Sequence, residues 1–490
     1  MIQRFNNMMA RLNSEQTIFL VYAAIMLLSL FTGIATQWYF LAGIPAALLL
    51  TYVVLLDFKK VFYLLMFCIP LSTEIYLPGG LGTDLPTEPL MVGLMFVFGL
   101  YILSKPKALM ADFVTHPLTL ILLLHIGWIY ATAFTSQDVL VSVKFSLAKT
   151  WYIAVFFFLA GHLIKTEKDF KTLFWVVLIP LLITVLIILA KHATYGFAFD
   201  KVNKAMSPFQ RNHVNYAATL SLFFPFIWFA RLWYPPKSRQ RWFLNAVLVF
   251  MIGAIYLTYT RAAYIALAIG AGAYFVIRFR LVRLILALSM AAAVGFFTYM
   301  VTDNNYLEYA PNYDTTIAHK KFDNLIEATA KMEDISTMER LYRWVAGVRM
   351  STERPLSGFG PGNFYNYYKS YTVTGFQTYV SDNPEKSGIH SYYLMTLVEQ
   401  GVIGLVLFLI LSFYALIRGE SIYHQSKNRN RKHIVMALLL SLIVIDAFLI
   451  INDLVETDKA GSFFFLSMAV LINMDLANRK EAKMITNYEL

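Results

Sequence analysis

Apolar runs long enough to cross a bilayer recur along nearly the whole chain, and that repetition constrains the fold more than any other feature. A helix needs about 20 apolar residues at 1.5 Å each to span the hydrocarbon. Runs of this kind occupy 17–36, 38–56, 60–72, 88–104, 116–135, 139–161, 172–190, 214–230, 243–259, 262–277, 284–301, 392–417, 433–452 and 461–476. The third is short and breaks at Pro70. Lipid offers no partner to backbone N–H and C=O groups, so such runs must be helical. Of the 490 residues, 58% are hydrophobic and 14% charged, a balance with which no soluble fold can cover itself. The expected fold class is an all-α integral membrane protein with about 12–14 transmembrane helices.

Charge orients the spans. With the N-terminus placed in the cytoplasm, 24 of the 41 Lys and Arg residues fall in short inner loops or tails, among them Lys59, Lys60, Lys105, Arg239, Arg241, Arg429, Arg431 and Arg479. The opposite short loops are poor in basic residues. Loop 73–87 carries Glu74 and Asp84, and loop 453–460 carries Asp453, Glu456 and Asp458 against one lysine. Both termini are therefore expected in the cytoplasm of a multi-pass protein of inner-membrane type. The polar opening MIQRFNNMMARLNSEQ leads into an apolar run that no small-residue cleavage site closes, so the first span reads as retained. The expected organisation is 1–301 with helices one to eleven, 302–389 as one large outer loop, and 390–490 with the last three helices and a cytoplasmic tail. The formal charge of +11 fits inner loops rather than nucleic acid, since no nucleic-acid-binding motif accompanies it. One cysteine, Cys68, excludes an internal disulfide and a cysteine-based zinc site.

Basic residues on the outer side run against the charge bias and so mark candidates. Arg211 opens the eighth span in QRNHVNYAATL, and Arg261 splits an apolar stretch in LTYTRAAYIAL. Lys144, Lys149, Lys191, Lys201 and Lys204 lie toward the same face, and Asp446 inside span thirteen is a potential partner for one of them. Each arginine alone also fits a helix end snorkelling to headgroups. Together these cations suit an anion at lipid depth, such as a lipid phosphate or diphosphate, because guanidinium binds phosphate bidentately. In the large loop, Leu341, Trp344, Val345 and Val348 follow helical spacing, predicting an amphipathic helix over 339–350 flanked by Arg340 and Arg343. Gly358, Gly360 and Gly362 between Pro355 and Pro361 form a tight turn, either plain or closely approached by a ligand. His390 sits at the outer mouth of span twelve, as an anchor or as a proton acceptor near neutral pH. Glu399 lies in apolar surroundings and needs a partner, and Gly401 and Gly404 would admit a packed helix. No P-loop, H-E-x-x-H, G-x-S-x-G, EF-hand loop or D-x-D occurs.

Taken in order, these segments resemble the O-antigen ligase and polymerase family of bacterial membrane glycosyltransferases. LTYTRAAYIAL is similar to the family's T-x-S-R-x-x-x-L, with Arg261 as its arginine and Tyr259 in place of serine. Arg340 and Trp344 match R-x-x-x-W. PLSGFGPGNF matches P-L-x-G-x-G-x-G-N-F through Pro355, Gly358, Gly360, Gly362, Asn363 and Phe364. HSYYLMTLVEQGVIG matches H-N-x-x-L-x-x-x-x-E-x-G-x-x-G through His390, Leu394, Glu399, Gly401 and Gly404, with Ser391 replacing Asn. Arg211 in RNHVNY resembles the arginine before span eight.

The resemblance implies a GT-C-like membrane enzyme that moves a glycan from undecaprenyl diphosphate to an acceptor on the periplasmic face. The acceptor would be lipid A core or a growing O-antigen or exopolysaccharide; a protein hydroxyl is a further option that the motifs do not separate. It implies inverting, metal-independent chemistry with no cofactor beyond the lipid-linked donor. His390 would be the general base, Arg261 and Arg211 would stabilise the diphosphate, and Arg340, Gly358, Gly360, Gly362, Asn363 and Glu399 would shape substrate binding. The rival reading is a transporter or flippase of lipid-linked glycan, whose charges would line a mid-membrane path rather than one face.

Overall fold

The computed structural model describes residues 14–38, 41, 43–45, 48–49, 52, 57–76, 82–106, 110–310, 334–378, 380–383 and 387–489. Most of the second expected span, and residues 311–333 of the large loop, lie outside these. The described chain is helical throughout except for one short hairpin. Its long helices are α1 (Ser14–Thr36), α2 (Phe58–Cys68), α3 (Thr87–Ser104), α4 (Pro117–Phe134), α5 (Val139–Ile153), α6 (Glu167–Ala193), α7 (His213–Ala230), α8 (Arg239–Tyr256), α9 (Arg261–Arg278), α10 (Val282–Val301), α11 (Ile335–Glu353), α12 (Tyr392–Gln425), α13 (Arg429–Leu449) and α14 (Asp458–Glu489). Eleven helices among the described residues are long and apolar enough to cross a membrane, and the protein is an all-α integral membrane protein. Three expected spans are not among them. Residues 38–56 are mostly undescribed, α2 has only 11 residues, and α8 opens on Arg239 and Arg241.

Side-chain caps set the helix starts. Asp138, Thr166, Asn212, Ser238, Asp334 and Asn428 each accept a backbone N–H of the first turn. The core is built around α7, α13 and α14, which are buried through most of their length. The α13 helix packs against α7, α9 and α12, and α14 lies behind it against the segment 154–159. By contrast α10 buries only Val282 and turns Leu284, Leu288, Val294 and Phe296 outward, as a lipid-facing helix would.

The connections gather at two ends. At one end, Lys59 pairs with Asp169 at 3.2 Å, and Arg431 pairs with Glu167 and Glu481, each at 2.8 Å. There too Asp475, fully buried, accepts from His116 at 3.1 Å and from Arg418 and Arg479, both at 2.7 Å. At the other end lie the hairpin of β1 (Thr73–Tyr76) and β2 (Gly82–Leu85), which pair antiparallel with Glu74 opposite Asp84, and the loops 194–212, 257–260 and 450–457 with the described residues of 302–388. Contacts between them hold that end together: Tyr259 Oη donates to Phe197 O at 2.7 Å, Gln137 N to Phe359 O at 3.0 Å, and Tyr392 N to Asn452 O at 3.1 Å.

Helix α12 is broken near that loop end. Gly401 takes φ 70° and ψ −175°, a conformation that L side chains avoid. The break frees backbone groups in an apolar setting, and the loop satisfies them. Phe359 N donates to Val398 O at 2.9 Å, Gly360 N to Glu399 O at 2.8 Å, and Val402 N to Pro355 O at 2.8 Å. Trp128 Nε1 donates to Gln400 O at 2.8 Å. The neighbour admitted by Gly401 is therefore a loop, not the helix expected from the sequence, while Gly404 faces the Gln400 side chain and Trp128 of α4. A Cβ at Gly401 would lie 2.1 Å from Leu356 O. Gly401→Val should cost more than about 3 kcal/mol and lower the thermal unfolding midpoint in detergent. An unchanged midpoint would show that the break tolerates a side chain.

Candidate active site

The tight turn between α8 and α9 places Arg261. Tyr259 adopts φ 53° there, and α9 starts two residues later. Behind the turn, His213 Nδ1 lies 2.8 Å from Thr258 O and 3.2 Å from Thr260 Oγ1. The carbonyl can only accept, so Nδ1 carries the hydrogen. Arg261 then reaches Asp334 Oδ2 at 3.1 Å. Asp334 is buried and also caps α11, accepting from Thr337 N at 3.1 Å and Thr337 Oγ1 at 2.7 Å. One carboxylate therefore joins the membrane-helix arginine to the loop helix.

Helix α11 confirms the amphipathic segment but buries a different stripe. Met338, Tyr342, Val345, Ala346 and Met350 face inward, while Leu341, Trp344 and Val348 are only half-buried. The loop helix lies on the bundle, against α12. From it hangs the strap that carries His390. Arg343 Nη1 donates to Gly388 O at 3.2 Å, and Trp344 Nε1 donates to Ile389 O at 3.1 Å. Gly347 leaves room for Ile389, whose methyl would lie 2.5 Å from a Cβ at that position. His390 itself is held at φ 56°, and its Nδ1 is buried with no hydrogen-bond partner among the described residues.

Charge converges on this strap. Burial, with the Arg340 and Arg343 charges behind it, pushes the His390 pKa down to about 3. Arg340 is pushed down to about 10, first by burial and then by the Arg261 and Arg343 charges, against the pull of Asp334. Its Nη1 bonds Ser336 Oγ at 3.0 Å, while its buried Nε has no partner among the described residues. A neutral imidazole thus lies in the field of two guanidinium groups, Arg340 and Arg343, and Arg340 lies in that of Arg261. Among the described residues no three His, Cys, Asp or Glu side chains converge as metal ligands.

The other expected substrate-binding residues occupy a different place. Gly358, Gly360 and Gly362 have φ 67°, 97° and 78°, and the backbone they bring close is that of Glu399–Gln400 and the segment at Ser136, not an open cleft. Glu399 accepts from Gly362 N at 2.8 Å and Phe364 N at 3.1 Å. Asn363, fully buried, donates to Ser136 Oγ at 2.7 Å and Ser142 Oγ at 2.9 Å. These residues dock the turn onto α12 and α5. Arg211 stands apart from the Arg261 group: Nε lies 3.0 Å from Glu74 Oε2, and Nη2 bonds Glu74 Oε1. Nor does Asp446 take a cation among the described residues; Ser412 Oγ donates to it at 3.4 Å. The buried Lys149 instead pairs with Glu456 at 2.6 Å.

Two site residues escaped the sequence reading. Asp334 was visible only as the cap of D-I-S-T, a local signal without hint of Arg261, and His213 as one polar residue among several. The titration of His390 follows from its surroundings. Between pH 5 and 8 its ring should stay neutral in the folded protein, with no shift of its labelled resonance, because the folded pKa of about 3 lies below that window. Arg340→Met removes a nearby positive charge and should raise that pKa. A midpoint near 6.5 in wild type would contradict the burial.

Residues 246–409 match the family model described as O-antigen ligase, and no curated protein matches the chain. The matched region holds Arg261, Arg340, the glycine turn, His390 and Glu399, and leaves out Arg211. The motifs of that region and the helical membrane fold agree with this similarity to the O-antigen ligase family.

Proposed function

We propose that this protein is a glycosyltransferase that moves a glycan from undecaprenyl diphosphate to an acceptor, at the loop end of its bundle. The family match supports a glycan-transferring membrane enzyme. The observation that carries the finer reading is the His390 imidazole, neutral and with an Nδ1 unpartnered among the described residues, in the field of Arg340 and Arg343, with Arg261 acting on Arg340. A sugar hydroxyl is a weak nucleophile that a positioned base activates, and the negative charge of a bound diphosphate would offset the guanidinium charges and raise the imidazole's pKa toward the working range. His390 takes the hydroxyl proton as the acceptor oxygen attacks the anomeric carbon. The bond from that carbon to the diphosphate oxygen breaks, and its electron pair stays on the diphosphate. Arg261 and Arg340 hold the charge that grows there, which puts guanidinium in the role a metal ion plays elsewhere. One displacement inverts the anomeric centre. Arg211, balanced by Glu74, serves the adjoining wall where the glycan leaves its carrier.

The chemistry falls on the periplasmic side of the inner membrane, with both termini cytoplasmic. Support comes from the basic residues crowded at the opposite end. The acceptor is a lipid A core or a second carrier-linked glycan of lipopolysaccharide or exopolysaccharide synthesis. The grouping of cations at one end, under a loop that is hydrogen-bonded to the bundle, favours an enzyme over a transporter.

Glycan transfer, measured in reconstituted membranes or a host cell at matched expression, tests this. His390→Ala and Arg261→Ala should each lower transfer by about 10²-fold or more. Normal activity in both variants would sink the assigned site. A wild type that only carries lipid-linked glycan across the bilayer would replace the transferase with a flippase.

A further inference from the structure

A cavity of about 350 Å³ opens at the loop end. Its volume lies at the low end of the ~300–1,000 Å³ range of ligand pockets, enough for a ring and its substituents. Six charged residues line it: Glu74, Asp84, Arg211, Glu456, Asp458 and Lys459. Four are carboxylates and two are cations, so the lining is formally acidic. Asn215 adds an amide, and it lies on the same first turn of α7 as His213. On the other side, Asp453 bridges toward the strap. It sits 3.0 Å from where a Cβ on Gly388 would be, and the Arg211 charge bears on it.

Most of the charged groups already serve the fold. Arg211 pairs with Glu74, and Glu456 with Lys149. Lys459 Nζ donates to the carbonyls of Ser72 and Phe209, and Ser72 and Thr87 hydroxyls donate to Asp458. Asp84 is different: its carboxylate makes no hydrogen bond or ion pair with the described residues. Burial and the Asp458 charge hold its pKa up. A carboxylate with open acceptor sites beside an amide is the chemistry that receives vicinal hydroxyls. A diphosphate would meet like charge here, which argues against placing it in this cavity.

We propose that this cavity is a sugar-ring subsite that takes a neutral or amino-bearing ring and rejects an anionic one. The proposal rests on the transferase reading for its role and on the cavity lining for its selectivity. The ring belongs either to the carrier-linked donor or to the acceptor, and both present the same hydroxyls.

Saturation-transfer NMR on the purified full-length protein in detergent tests it, with glucose, glucosamine and glucuronate as probes of one ring stereochemistry. Glucosamine and glucose should bind, and glucuronate should bind about tenfold more weakly or worse. Asp84→Lys should weaken glucosamine and strengthen glucuronate, and Asp84→Asn should shift both in the same direction by less. Because Asp84 is on the exposed hairpin, thermal unfolding of each variant checks that the fold survives. Equal binding of all three sugars, or an order that neither substitution moves, overturns the subsite. Competition in the transfer reaction then separates the sources: free glucosamine raises KM for the donor if the ring is the donor's, and for the acceptor if it is the acceptor's. Competition against neither overturns the subsite. A protein that binds the sugars in this order but transfers no glycan overturns the transferase reading alone.

Discussion

An interrupted membrane helix can exist only if something replaces the backbone hydrogen bonds that it gives up. At Gly401 the replacement is the turn 355–364, whose N–H and C=O groups bond Val398, Glu399 and Val402 while Trp128 covers Gln400 O. In an apolar environment each unmet backbone group costs several kcal/mol, so helix and turn specify one another. The loop end is thereby built as part of the bundle rather than as an appendage. Glu399 repeats the logic with a side chain, its two oxygens receiving two N–H groups of the same turn.

The strap that carries His390 inherits its position from that dock. Helix α11 runs straight into the turn, so anchoring the turn anchors the helix, and the helix carries the strap through Arg343 and Trp344. Asp334 closes the circuit at the helix's other end by binding Arg261. The consequence is electrostatic. Three arginines stay close together because one buried carboxylate and the rigidity of α11 hold them there. Like charges kept close and partly desolvated are unfavourable by themselves, and their arrangement is what an incoming anion would relieve. Burial, with the Arg340 and Arg343 charges behind it, keeps the His390 ring neutral.

Much of this was legible in the sequence and some was not. The spans were readable because hydrocarbon imposes a length and an apolarity on each helix, and eleven of the expected runs are helices long and apolar enough to cross a membrane among the described residues. Arg261 and His390 were visible as polar interruptions at span boundaries; the structure ties Arg261 to the start of α11 through Asp334, and ties the residues just before His390 to the same helix through Arg343 and Trp344. The stripe of α11 was misassigned because both faces of that helix are buried to some degree, so apolarity alone does not select one. The glycine turn was read as either plain or closely approached by a ligand; it takes positive φ at all three glycines, and the partner it approaches is the broken α12.

The sequence by itself determined a helical membrane protein, the order of its spans, the amphipathic loop helix and the residues able to do acid–base and anion chemistry. Those follow from local rules, namely the hydrophobic cost per residue and the backbone preferences of glycine and proline. Tertiary structure alone decided which carboxylate meets which arginine, that Lys149 belongs to Glu456, and that Asp84 faces a cavity. Such pairings join residues tens to hundreds of positions apart, and their energies depend on distance and burial that no local pattern encodes.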